Sequence, residues 1–394
     1  MPIIERRQRV SGSENWRWPG ETHRVLRQVL SSRPIASPKE LDLNLSGLRP
    51  VGEFDALGDA VQLLCRHRKG HILIVGDFDA DGATSAALVY LCLRNLGFSK
   101  VSFFIPDRFE LGYGLTTEVV ERIKGSGPTL LVTVDNGVTS IDGVAAARKL
   151  DIDVLVTDHH LPGAELPVAN AIVNPNLHSS QFAGKNLSGV GVAFYLMAAL
   201  ERELGEPGCV VEYLDLVALG TIADLVPLDH SNRILINEGL RRIRAGRCRP
   251  GVKALCQVSA INQEDVTGTN LAYQVAPRLN AAGRLDDMTV GVRCLISDSE
   301  IDALAFAEQL DALNRERRII ESKMKAEAAL LVDEDQLLSV GQLPTVVCLF
   351  RDDWHEGVVG LVASRIKDRC HRPVFAFAPT GSGGLKGSGR SVSG

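Results

Sequence analysis

The sequence is short of the features that would place it in most functional classes. Its eight cysteines are scattered over 394 residues with no CxxC and no paired spacing. That argues against a disulfide framework or a structural zinc site and for free thiols in a reducing cytoplasm. The N-terminus, Met1-Pro2-Ile3-Ile4-Glu5-Arg6-Arg7, has no apolar signal core. The longest apolar run, near 190–200, is too short to span a bilayer and contains Gly191 and Tyr195. Positive charge is not in excess: the net charge is −5, so a polyanionic partner would have to be met by a local patch. There is no P-loop, no GxSxG elbow and no internal repeat. What remains is a soluble composition, 45% hydrophobic and 23% charged, long enough for two or three domains.

Carboxylates at the ends of apolar runs are the main positive feature. Asp77-Phe78-Asp79-Ala80-Asp81-Gly82 follows His71-Ile72-Leu73-Ile74-Val75-Gly76. Three like charges this close repel unless a cation sits among them, and oxygen ligands at i and i+2 converge readily on one ion. An Asp-rich turn is also ordinary turn chemistry. The pattern recurs, however. Asp135-Asn136-Gly137 follows Leu130-Leu131-Val132-Thr133-Val134, and Asp158-His159-His160 follows Val154-Leu155-Val156-Thr157. In a parallel sheet the carboxyl ends of strands share one crevice, so Asp77, Asp79, Asp81, Asp135, His159 and His160 are expected to meet. Asp224 interrupts the apolar segment 218–227 and needs a partner or a metal if buried. Mixed carboxylate and imidazole ligands suit manganese, and two adjacent ions suit phosphate-ester hydrolysis.

The alternation of apolar runs predicts strands at 71–76, 101–105, 129–134, 153–157 and 171–173. Helices are expected near 54–68, 83–97, 116–124 and 140–149, which makes a parallel α/β sheet. Two buried helices are expected over 188–225 and a mainly helical part over 233–297. The segment 298–332 carries apolar residues at three- and four-residue steps. It predicts one helix about 50 Å long, enough to connect two bodies. A strand at 345–350, a helix at 357–369 and a strand at 373–377 begin a second α/β domain, followed by a glycine-rich loop at 381–391. The organisation expected is therefore an arm (1–50), a catalytic α/β domain (51–232), its helical part (233–297), the connecting helix (298–332) and an incomplete second domain (333–394).

The four acidic motifs together resemble the DHH phosphoesterase superfamily. Three further stretches resemble its RecJ branch: Ala276-Pro277-Arg278-Leu279-Asn280-Ala281-Ala282-Gly283-Arg284, Trp354-His355-Glu356-Gly357-Val358-Val359-Gly360 and Lys386-Gly387-Ser388-Gly389-Arg390-Ser391. The resemblance runs from about residue 50 to the end. It implies a parallel-sheet DHH domain, a helical insertion and a partial DHHA1-type domain. It also implies a 5′-to-3′ exonuclease for single-stranded DNA that uses two Mn2+ or Mg2+ ions in recombination and repair. Carried over by motif, Asp79, Asp81, Asp135, His159 and Asp224 are expected metal ligands. Asp77 and His160 are expected to be ligands or to orient them and contact the scissile phosphate. Arg284 is expected to complete the active site. Arg278, Asn280, Arg284, His355, Lys386, Ser388 and Arg390 are expected to face the nucleic acid. Inter-domain salt bridging is the structural alternative for Arg278 and Arg284, and simple helix capping for His355. The implied setting is a cytoplasmic monomer, off the membrane, with a single-strand-binding protein and a helicase as candidate partners.

RecJ-like chains continue into a further glycine–histidine stretch and an oligonucleotide-binding barrel. This sequence stops at Gly394. It therefore reads as truncated, with an unpaired sheet edge and mobile residues at 380–394 as the expected consequence. Asp77-Phe78-Asp79 after a strand also fits haloacid-dehalogenase-type phosphatases, but that chemistry has no call for His159-His160. Within the family, a phosphodiesterase for short oligonucleotides or cyclic dinucleotides is the alternative enzyme. A non-catalytic DNA-binding relative is the alternative outside enzymes. The run Arg241-Arg242-Ile243-Arg244-Ala245-Gly246-Arg247-Cys248-Arg249 reads as a solvated face. Trp16 and Trp18 could stack on bases, or simply dock the arm.

Overall fold

A computed structural model describes residues 8, 10–33, 35, 37–206, 208–334, 344–381 and 383–392. Residues 1–7 of the expected arm and 335–343 near the expected start of the second domain fall outside that set. The first sheet has five parallel strands: β1 (His71–Gly76), β2 (Lys100–Phe104), β3 (Leu130–Val134), β4 (Asp153–Thr157) and β5 (Ala171–Val173). Their spatial order is β2-β1-β3-β4-β5. The direction of winding reverses between β1 and β3, which opens a crevice at their carboxyl ends. β3 is buried along its whole length, as a strand covered on both faces must be, and this is why it reads as an unbroken apolar run.

The preceding helices are α1 (Arg24–Leu30) and α2 (Leu57–Arg66). Between and after the strands come α3 (Ala80–Asn95), α4 (Thr117–Ile123), α5 (Ile141–Lys149), α6 (Gly189–Leu204) and α7 (Leu214–Ala223). Ile72, Ile74, Val132 and Leu155 face α2, α3, α6 and α7 in one core. Leu73, Val75, Leu131 and Val156 face α4 and α5 in another. The two-residue alternation along each strand produces this division.

The helical part comprises α8 (His230–Arg244), α9 (Pro250–Val258), a short turn α10 (Gly268–Asn270) running through a π-helical turn into α11 (Ala276–Leu285), and α12 (Thr289–Ile296). It extends the larger core of the sheet. α13 (Glu300–Glu334) is about 52 Å long at ~1.5 Å per residue. It buries Ala303, Ala307 and Leu310 in the first core. Met324, Ala328 and Val332 lie in the core of a second body. That body contains β6 (Val347–Phe350), α14 (Val359–Cys370), β7 (Val374–Pro379) and β8 (Leu385–Arg390), with strand order β6-β7-β8. No helix among the described residues is long and apolar enough to cross a membrane.

Two expectations need correction. The glycine-rich segment at 384–391 is not a loop: β8 pairs antiparallel with β7, so β7 is not an exposed edge. Phe377 lies over Gly387 and Phe375 over Gly389, where any Cβ would collide with the rings. Glycine here makes room for a cross-strand aromatic, which composition alone reads as flexibility. The basic run at 241–249 is a solvated face only in part: Arg241, Arg244 and Arg247 are exposed, but several of its arginines are engaged by the protein. Arg242 pairs with Glu212, Arg244 donates to the Val266 carbonyl, and Arg249 donates to Ile296, Ser297 and Asp298.

Candidate metal centre

Each acidic motif sits where its strand or helix ends. Asp77 follows β1, and its Oδ1 accepts from the Phe78 amide at 2.7 Å. Asp79 is the N-cap of α3, accepting from the Gly82 amide at 3.0 Å. Asp81, in the first turn of α3, accepts from the Gly189 and Val190 amides at 2.6 and 3.0 Å. The N-terminus of α6 thus positions one carboxylate of α3. Asp135 follows β3 with φ 62°. A Cβ at Gly189 would approach its Oδ1 to 2.5 Å, so only glycine lets α6 start there. Asp224 caps the carboxyl end of α7.

These groups converge. Ligand atoms lie within 4.8 Å of one another in each of three overlapping sets: Asp77, Asp79 and Asp135; Asp81, His159 and Asp224; and Asp135, His159 and His160. His159 Nε2 is 3.1 Å from Asp135 Oδ1 and 3.6 Å from Asp224 Oδ2. None of the five aspartates has an arginine or lysine salt-bridge partner among the described residues. Burial, reinforced by Asp79, pushes the Asp77 carboxyl up to about 8 and Asp224 to about 7. Burial and neighbouring acids also raise Asp81 and Asp135 well above the usual carboxylate range.

The donor set suits a divalent cation. Burial, with His160 beside it, lowers His159 to about 4, so the ring is neutral. Its other side bonds to the Leu187 backbone, which leaves a lone pair on Nε2. Asp135 Oδ1 and His159 Nε2 are both buried and without a hydrogen-bond partner. Two electron-pair acceptors facing each other at this distance need a positive centre between or beside them. A pair of hard cations would satisfy them and the remaining carboxylates together, so the residues fit the group.

Asp158 has a different task. Its Oδ2 accepts from the Val138 amide, and its Oδ1 accepts from the His159 and His160 amides and bonds His160 Nδ1 at 2.7 Å. Burial opposes ionisation, but the His160 ring outweighs it and holds Asp158 below the usual range. The same bond raises His160 to about 9. Asp158 was legible as part of a triplet, yet its orienting role depends on the turn geometry.

Two contributors escaped the sequence reading. Arg108 lies over the Phe78 ring at 4.5 Å, and its Nε is buried without a partner. Tyr113 Oη lies 3.5 Å from both the Asp135 carbonyl and His160 Nδ1. Both follow β2, so the strand-end rule that found the acids would have found this loop too.

The remaining expected residues divide. Asn280 Oδ1 accepts from the Ala80 amide at 2.8 Å, fixing the first turn of α3 beside Asp79. Arg284 is half-buried at the junction of the two bodies, and its Nη1 donates to the Gly357 carbonyl at 3.4 Å. Burial, with Arg108 and Arg317 nearby, lowers it to about 10. Arg278 is engaged elsewhere: it pairs with Asp311 at 2.8 Å and donates to the Gln274 and Val258 carbonyls. His355 Nδ1 accepts from the Gly357 amide and its ring meets Phe109 edge-on. Lys386 Nζ lies 3.4 Å from Glu356 and 4.8 Å from the Phe109 ring centroid. Ser388 accepts from Arg390 at 2.9 Å, next to Gly360 at the start of α14. The second body therefore closes on the loop after β2.

A doubly wound sheet with clustered, unpaired carboxylates and one neutral imidazole at its switch point defines a divalent-metal phosphoesterase centre. Residues 71–221 match the DHH family, N-terminal domain. The chain is 50% identical to the single-stranded-DNA-specific exonuclease RecJ of Salmonella typhimurium, over 98% of its own length and 69% of that protein. It is also 50% identical to the Escherichia coli protein of the same name, over 95% and 67%. Among solved structures it resembles an exonuclease RecJ bound to manganese, with a TM-score of 0.77, 35% identity and coverage of 88% and 84%. It resembles Thermus thermophilus RecJ in complex with Mn2+ with a TM-score of 0.75, 34% identity and coverage of 91% and 50%. The chain belongs to the RecJ family of the DHH phosphoesterases.

Proposed function

We propose that the chain is a Mn2+- or Mg2+-dependent exonuclease that hydrolyses phosphodiester bonds of single-stranded DNA in the 5′-to-3′ direction, in recombination and repair. The observation that carries this reading is the convergence of five aspartates and a neutral His159, with no arginine or lysine ion pair to the aspartates among the described residues. Asp79, Asp81, Asp135, Asp224 and His159 would hold two ions, with Asp77 as a further ligand or orienting group. When bound, the ions would supply Lewis acidity to water and to the scissile phosphate. The chain's own groups do the rest. Asp158 keeps His160 protonated at Nδ1, leaving Nε2 to donate to a phosphate oxygen. Arg108, over the Phe78 ring, and Arg284 bring positive charge to the same crevice. Lys386, Ser388 and Arg390 face it from the second body, where β8 approaches the start of α14. Asn280 holds the turn that carries Asp79 and Asp81.

On this reading the domain organisation follows the cores. The sheet and its helical part form one unit, α13 connects, and 333–394 form a substrate-facing part. The same reading places the chain in the cytoplasm as a monomer, with a single-strand-binding protein and a helicase as candidate partners. Its described cysteines are all free thiols. The test is Mn2+-dependent digestion of long single strands blocked at either end. Mononucleotides released from the 3′-blocked strand and not from the 5′-blocked one are expected. Cleavage confined to short oligonucleotides or cyclic dinucleotides would support the other phosphodiesterase reading. Binding without cleavage would support the non-catalytic one.

A further inference from the structure

The two tryptophans of the arm keep part of their surface in solvent. Trp16 and Trp18 are half-exposed, with ring centroids 5.6 Å apart and planes tilted by 59°. With Ser13, Arg24, Arg27, Gln28 and Ser31 they line a cleft of about 470 Å³.

 The room is that of a small-ligand cleft, enough for a nucleotide. Ser13 is buried, and its hydroxyl reaches the cleft without a hydrogen-bond partner. α1 buries none of its residues against the rest of the chain. Residues 16–33 contain Arg17, Arg24, Arg27 and Arg33 against a single acid, Glu21, in a chain whose net charge is −5. None of the four arginines has a carboxylate partner among the described residues. Arg27 donates only to the Thr22 and Gly20 carbonyls, which leaves its charge uncompensated.

The arm is tied down close to the metal centre. His230, at the start of α8, bonds the Asp42 carbonyl at 3.0 Å, and Arg233 pairs with Glu40 at 2.9 Å. His230 is six residues beyond Asp224, a stretch that spans at most about 20 Å. Exposed Leu225 and Leu228 lie along it. The base of the arm, at residues 40–42, is thus fixed beside the segment that carries Asp224.

We infer that the Trp16–Trp18 cleft is an accessory single-strand site, stacking bases on the indoles and meeting phosphates with Arg24 and its neighbours. Aromatic faces beside unpaired cations are what sequence-tolerant strand binding requires. This inference rests on the single-strand reading above and adds a second contact to it.

The test is a binding experiment in the full chain with EDTA present, so that no strand is cut. The chain has three tryptophans. The third, Trp354, is buried in the second core with its Nε1 bonded to Glu327. Emission changes therefore report the arm. A strand of about 12 nucleotides is expected to quench the emission saturably, where a trinucleotide confined to the crevice does not. Trp16→Ala with Trp18→Ala is expected to weaken binding of the longer strand about tenfold, read by anisotropy of a labelled strand. Arg24→Glu is expected to make the dependence of affinity on salt shallower. Absence of quenching at strand concentrations that saturate the anisotropy would overturn the inference, and this result needs no variant to fold. Unchanged affinity in the double variant would overturn it too and leave the cleft to a protein partner. Because neither readout involves hydrolysis, a failure to cut DNA would count against the exonuclease reading alone.

Discussion

The crevice and the helices away from it both bury aspartates, and they treat them differently. Away from the crevice, Asp311 on α13 has Arg278 and Arg315 as partners. Asp215 accepts from the Arg249 amide at 2.6 Å, and burial raises it only to about 6 because Arg249 and Arg242 oppose the shift. At the strand ends, Asp77, Asp79, Asp81, Asp135 and Asp224 have one another and His159, and no arginine or lysine bridge among the described residues. A buried carboxylate with its own cation is architecture. A group of them without one is a site waiting for a cation from solution.

The comparison breaks most visibly at Asp135. Asp135→Ala removes a ligand and no core packing, so hydrolysis is expected to fall by about a thousandfold or more. The same variant without metal should melt no lower than wild type, because a repelled buried charge has gone. Near-normal rates with Mn2+ would make Asp135 a turn residue only. On the other side, Arg278→Ala leaves Asp311 buried beside only the exposed Arg315. A loss of about 3–5 kcal/mol in unfolding free energy is expected, measured by denaturant titration. A variant with wild-type stability and weakened DNA binding would instead place Arg278 at the nucleic acid.

The strand ends should also give the metal-free protein an unusual pH response. Asp77 at about 8 and Asp224 at about 7 lie above the ordinary carboxylate value. Raised carboxylates contribute no penalty below the unfolded value, near 4, and a growing one as pH climbs through their folded values. Melting temperature in EDTA should therefore fall between pH 5 and pH 8 by more in wild type than in an Asp77→Asn variant. Saturating Mn2+ should remove most of that difference, because bound cations favour the ionised forms. An equal slope in both proteins would mean that Asp77 is not held this way. The smallest expected effect is at Asn280. Asn280→Ala removes the acceptor for the Ala80 amide, which should lower stability by about 1 kcal/mol, with Mn2+ affinity falling alongside.

Much of the first body was legible because its signals are local. Each strand of the first sheet lies within one residue of its expected bounds, since a strand buried on both faces must be apolar throughout. The acids at the strand ends were readable for the same reason: polarity begins where the sheet stops. What escaped depends on contacts between distant segments. Arg108 and Tyr113 follow β2, where the strand-end rule points, but what they touch shows only once the second body and β3 come near that loop. The orienting role of Asp158 shows only when its two oxygens are counted against three amide donors and a ring. The Arg241–Arg249 run is partly surface, as it reads, but the engagement of Arg242, Arg244 and Arg249 was not legible because Glu212, Val266 and Asp298 are far away in sequence. β8 looked like a loop because the rings that cover its glycines belong to β7.

The central claim is that the unpaired aspartates hold two cations. Its most direct test is anomalous scattering from crystals of the chain grown with Mn2+. Two manganese peaks are expected about 3.5–4 Å apart, one toward Asp77, Asp79 and Asp135 and one toward Asp81, His159 and Asp224. A crevice without manganese at saturating concentration, or manganese bound only away from these aspartates, would contradict the account.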